Sequence, residues 1–241
     1  MANNENENGI ALVKFVSVTL LILGICLLAA IPQWMILCLF GDGVLIYTIA
    51  CFFVGFVVLV FIHLIEPLKY WRPCNYFVIA VCYELMTLGA ASFLMNWRLV
   101  CTIVVMATAL LFLGVTLLIC AVLIGTGFYM NPFKLAVVGG MLFVLAFCIE
   151  LMNSLLAWRY WQDVAIGVFL ASVVILVISH VLITYISFEF LVRDDTILVA
   201  IVLYIAYILF LIGGRISMIY IKGNADRSAT STTSTPYDEY E

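Results

Sequence analysis

Residues 99–124 contain no charged side chain. As a helix rising about 1.5 Å per residue, this run is about 39 Å long, enough to cross a hydrocarbon core of about 30 Å. Six further apolar runs have comparable character, at about 10–30, 44–65, 75–95, 132–156, 164–187 and 196–212. Hydrophobic residues make up 67% of the 241-residue chain and charged ones 10%, with a mean hydropathy of +1.26. A soluble chain is about half apolar and about a quarter charged. Lipid must therefore be the solvent for most of this one. The expectation is an all-α membrane protein, a bundle of seven transmembrane helices occupying residues 10–223. A polar acidic tail, 1–9, precedes it. A Ser/Thr-rich acidic tail, 224–241, has too little apolar matter to fold and is read as disordered.

The run boundaries carry their own signals. The first stops at Ile31-Pro32, because proline removes a helical hydrogen bond and clashes with the preceding turn. With no basic start and no small-residue cleavage site, it reads as an uncleaved signal anchor. Tyr70, Trp71, Tyr76, Trp97, Trp158, Tyr160 and Trp161 cluster at the run boundaries, where amphipathic rings favour the headgroup zone. Gly89-Ala90-Ala91-Ser92 and Gly139-Gly140 lie inside runs and suit close helix packing. The last run is the shortest and is flanked by Arg215 and Lys222, so six spans plus a re-entrant last segment is the alternative count.

Orientation follows from Lys and Arg in the loops. A cytosolic N-terminus puts Lys14, Lys69, Arg72, Lys134 and Arg193 on the cytosolic side and only Arg98 and Arg159 opposite. The early loops thus favour a cytosolic N-terminus. Seven crossings would place Arg215, Lys222 and Arg227 on the far side and even the count.

Charge inside a membrane is expensive, so buried ionisable groups are where function is sought. Glu84 lies midway through the third run. Glu150 lies late in the fifth, with Asn153 nearly one turn on. His180 is inside the sixth, and His63 is near the interface at the end of the second. Glu84, His180 and Glu150 are the candidate residues for an ion path; the structural alternative is an inter-helix hydrogen bond, which leads for His180, while Glu150, near a boundary, reads first as snorkelling to water. The eight cysteines are scattered singly and read as small buried hydrophobes, with Cys74, at a boundary, a candidate for palmitoylation. Nothing has metal-ligand spacing and no cofactor is expected. No basic patch suits nucleic acid. Walker, GxSxG and HExxH motifs are absent from the sequence. Ser179 and His180 are adjacent, which puts them about 100° apart on a helix, and a hydrolase would need Glu84, His180 and Asp163 to meet in space. A non-enzymatic protein is expected.

Two stretches resemble the Bax-inhibitor-motif (lifeguard) family of seven-span proteins. Pro73-Cys74-Asn75-Tyr76, Glu84, Gly89, Ser92, Ala107-Thr108-Ala109 and Leu117 are similar to its third and fourth spans. Asp195 to Tyr204, closing at Gly213-Gly214-Arg215, is similar to its last. The family-motif residues are therefore Pro73, Asn75, Tyr76, Thr108 and Tyr204. The family's calcium-leak members carry an acidic pair in the last two spans, which corresponds here to Ile178 and Ala206. A carboxylate pair sharing a proton underlies such a leak, and its loss makes the chain look like the cytomegalovirus unique-short-region branch. That resemblance implies a viral modulator of host membrane-protein trafficking, immune evasion and cell-death or stress signalling. It would reside in the endoplasmic reticulum, Golgi or other host endomembranes, with the plasma membrane as an alternative. Two functional classes stay open. One is an adaptor that binds host membrane proteins within the bilayer. The other is a calcium- or proton-permeable leak through Glu84 and His180, altering calcium homeostasis and apoptosis. Loss of the acidic pair favours the adaptor.

Overall fold

A computed structural model describes residues 2–40, 45–65, 71, 73–94, 99–127, 130–156, 161–188 and 195–232. Among these, the regular elements are seven α-helices: α1 (Ala2–Phe40), α2 (Leu45–Leu64), α3 (Cys74–Leu94), α4 (Leu99–Gly125), α5 (Pro132–Leu156), α6 (Gln162–Ile186) and α7 (Asp195–Thr232). Six of them contain stretches of 21 to 27 residues long and apolar enough to cross a membrane; α2 adds a shorter apolar stretch, Ile46–Ile62. Large apolar side chains such as Leu21, Leu28, Phe53, Phe77, Leu111 and Phe147 point outward. A soluble monomer does not expose apolar surface on that scale. The fold is a helical, multi-pass membrane bundle.

The direction of each helix follows from its contacts. Tyr83 and Thr87 of α3 meet Tyr204, and Phe93 meets Arg215, so α3 and α7 run parallel. Tyr83 also meets Cys26 and Thr87 meets Trp34, so α1 runs parallel to both. Gly55 lies against Met86 and Gly89 against Cys51 and Phe52, which makes α2 antiparallel to α3. Phe143 meets Phe169 and Gly139 meets Ile175 and Leu176, which makes α5 antiparallel to α6. Helix α7 packs against α1, α3, α4 and α6, while α2 lies against α3 and α5 against α6.

Helix α7 differs most from the sequence expectation. A short last span ending near residue 212 was expected, with a re-entrant segment as the alternative. The observed helix is 38 residues long, and its membrane stretch Asp195–Ile221 is the most enclosed of the six. From Leu203 to Ile208 every side chain is buried. The physical reason lies at Gly213-Gly214-Arg215. Glycine ends a helix when nothing packs on it, but a Cβ at Gly213 would sit 2.6 Å from Leu170. The missing side chain here admits a neighbouring helix. The Arg215 guanidinium lies 4.3 Å from the Phe93 ring centre, a cation–π contact that offsets part of its desolvation.

Three further boundaries move. Pro32 lies inside α1 rather than at its end. Two residues later, the Trp34 indole N–H donates to the Thr87 carbonyl at 2.9 Å. That buried tie holds the chain beyond the proline in helical register. At the other end, α7 continues from the membrane stretch to Thr232, through the first half of the expected disordered tail. Propagating an existing helix costs far less than nucleating one. Residues 233–241 lie outside the described residues. The backbone is also helical from Ala2, through the expected N-terminal tail.

Candidate functional site

Two polar features stand out among the described residues: a buried network between α1, α3, α4 and α7, and an isolated carboxylate on the outer face of α3.

The buried network centres on Thr87, which is fully enclosed. Its hydroxyl donates to the Tyr83 carbonyl one turn back at 2.7 Å. The same oxygen lies 2.7 Å from the Tyr204 hydroxyl. A threonine hydroxyl has one hydrogen, already committed to Tyr83, so Tyr204 is the donor in that pair. Trp34 donates to the Thr87 carbonyl and stacks on Tyr207 at 6.0 Å between ring centres. The Tyr207 hydroxyl donates to the Met106 carbonyl at 3.3 Å. The Tyr83 ring lies 5.0 Å from that of Tyr204, and its hydroxyl donates to the Cys26 carbonyl at 2.8 Å. Every donor in this chain of contacts is neutral and partnered. The arrangement ties four helices together, and it contains no nucleophile paired with a base. Of these residues only Tyr204 stood out in the sequence. Trp34, Tyr83, Thr87 and Tyr207 carried no separate signal, because aromatic and hydroxyl residues inside an apolar run look the same on any face.

Glu84 is at the middle of α3, ten residues from Cys74 and ten from Leu94. That is about 15 Å from either end of the helix. Its side chain is exposed, on the face away from α7. Among the described residues, no hydrogen bond or ion pair joins it to the rest of the chain. An ionised carboxyl at that depth facing hydrocarbon costs about 3 kcal/mol on insertion scales.

The other sequence candidates fall elsewhere. His180 is half-buried on α6, and its backbone carbonyl accepts the Thr184 hydroxyl at 2.9 Å. Glu150 is exposed near the end of α5, at an apolar groove of about 180 Å³ that also involves Phe169, Ile212 and Gly213. Asn153, nearly one turn on, is half-buried, and its amide nitrogen lacks a partner among the described residues. Glu84, Glu150 and His180 lie on α3, α5 and α6, and the structure does not bring them into one path. Asp163 accepts the Tyr220 hydroxyl at 3.0 Å, away from both Glu84 and His180. The His63 side chain lies outside the described residues.

Of the motif residues, Asn75 is buried and its side-chain oxygen accepts the Tyr76 amide at 2.8 Å. Pro73 and Tyr76 are exposed. Thr108 is half-buried and donates to the Val105 carbonyl within α4. Ile178 is half-buried on α6 and Ala206 is buried on α7. Asp195 opens α7 and is buried. Among the described residues, no three His, Cys, Asp or Glu side chains gather as a metal site.

A second apolar cavity, of about 260 Å³, lies between α1 and α4 beside Trp34 and Tyr207. Comparison with family models, with curated proteins and with solved structures returns no match.

Proposed function

We propose that this chain is a non-enzymatic membrane adaptor, acting on other membrane proteins inside the bilayer. One observation carries the proposal. The bundle axis is filled by α7, packed with apolar and aromatic side chains, while the mid-membrane carboxylate of Glu84 faces outward. A leak needs its polar groups to converge on the axis, whereas an adaptor needs them on its flank. The similarity of the third and last spans to the Bax-inhibitor-motif family, with Ile178 and Ala206 where an acidic pair would stand, supports a viral member of that type. In this reading it redirects host membrane proteins and damps immune and cell-death signalling from endomembranes.

The test is calcium flux into liposomes holding the purified full chain, beside the Glu84→Gln variant. The expected result is background flux for both. Robust flux from the wild-type protein that disappears in Glu84→Gln would overturn the adaptor in favour of the leak.

A further inference from the structure

The outward face of α3 is a stripe. Phe77, Ala80, Glu84 and Leu88 are all exposed and follow one another at steps of three, four and four residues. That spacing keeps them on one side of a helix. Helices α1, α2 and α7 pack against α3, leaving this side to the bilayer. Ala80, one turn from Glu84, is small enough to let another backbone approach closely.

Glu84 makes an all-lipid surroundings a poor match for this stripe. A carboxylate there has lost its water, and a protonated carboxyl has a hydroxyl with no acceptor. A cation at the same depth resolves both problems, because a charge-assisted hydrogen bond in hydrocarbon has no water to compete with it. A second copy of this chain does not supply that cation. None of its ten Lys and Arg residues falls in the middle third of a helix's apolar stretch; the three inside such stretches, Lys14, Lys134 and Arg215, lie in the outer thirds of theirs. Two copies meeting symmetrically at the stripe would also set Glu84 against Glu84.

We infer that the Phe77–Ala80–Glu84–Leu88 face of α3 docks a transmembrane helix of a different protein, one carrying a lysine or arginine near its midpoint. The inference rests on the adaptor reading and names the class of partner. Ala80 sets the close approach, Phe77 and Leu88 flank it, and Glu84 selects for charge. A partner with an all-apolar span gains the packing alone.

The test uses the full chain in liposomes, with energy transfer to a synthetic single-span leucine–alanine helix. One probe has a central lysine; the others have leucine there, or the lysine moved two turns toward an end. The expected result is about tenfold tighter association of the central-lysine helix. Glu84→Gln should abolish that preference without changing association of the all-apolar helix, which also shows that the variant is folded. Glu84→Lys should transfer the preference to a helix with a central aspartate. Equal binding of lysine and leucine helices to the wild type overturns the inference, and so does a lysine preference that survives Glu84→Gln. Self-association of the wild type that is lost in Glu84→Gln would assign the stripe to a second copy instead. Calcium flux from the same liposomes would sink the adaptor reading itself. Loss of the lysine preference without flux removes only the docking face.

Discussion

At the residue scale, Tyr204 and Glu84 show what a side chain's direction decides. Both lie inside apolar runs, and both are polar. Tyr204 points inward, is fully buried and donates to Thr87. Tyr204→Phe keeps the ring contact with Tyr83 and removes that one hydrogen bond. The expected loss is about 1 kcal/mol, in the range of inter-helix hydrogen bonds in membranes, read as a lowered thermal midpoint in detergent. Thr87→Val should cost more, because it also removes the bond to the Tyr83 carbonyl and leaves the buried Tyr204 hydroxyl without its acceptor. The double variant should cost less than the sum, because each change removes the same bond. Full additivity would show that the two hydroxyls act separately. The sequence identified Glu84 as mid-membrane but left its direction open. An apolar run marks a buried face only when its other face is polar, and α3 is apolar on nearly every side.

At the element scale, the middle helices were legible and the outer two were not. The ends of α2 to α6 fall within two residues of the apolar runs, because loops in a membrane protein are marked by charge, proline and aromatic rings. Helices α1 and α7 outrun their predicted ends because tertiary contacts override the local breaker. Trp34 is tied to Thr87 beyond Pro32, and α6 packs onto Gly213. The glycine pair in α5 was readable as a packing signal, but its two members differ. A Cβ at Gly139 would lie 3.0 Å from Ile175 and from Leu176, whereas one at Gly140 would meet nothing within 4 Å. Gly140→Ala should be neutral, or stabilising by about 0.5 kcal/mol through helix propensity. Gly139→Leu should cost about 1–3 kcal/mol by forcing α5 away from α6. Unfolding of the two variants in mixed micelles checks the contrast, and equal stability would show that α5 and α6 do not meet at Gly139.

At the scale of the whole molecule, α1 and α7 run parallel, so they start at one end of the bundle and finish at the other. The Phe15–Phe188 contact marks the first end, and Arg215 over Phe93, with Tyr220 on Asp163, marks the second. If all seven helices cross, the two termini lie on opposite faces of the membrane. Lysines and arginines in the early loops favour a cytosolic N-terminus. The extension of α7 past Ile221, and the Ser/Thr-rich residues after it, then belong to the far side. A tail there cannot recruit cytosolic sorting machinery, so the adaptor would have to hold its partners through its spans. This gives the outward face of α3 its importance. The expected outcome is that protease added to intact microsomes removes an N-terminal epitope and spares a C-terminal one, and that detergent exposes both. Removal of both epitopes from intact vesicles would mean that one helix fails to cross. In that case the C-terminal tail would face the cytosol, within reach of sorting machinery, and the case for partner capture through α3 would lose its topological support.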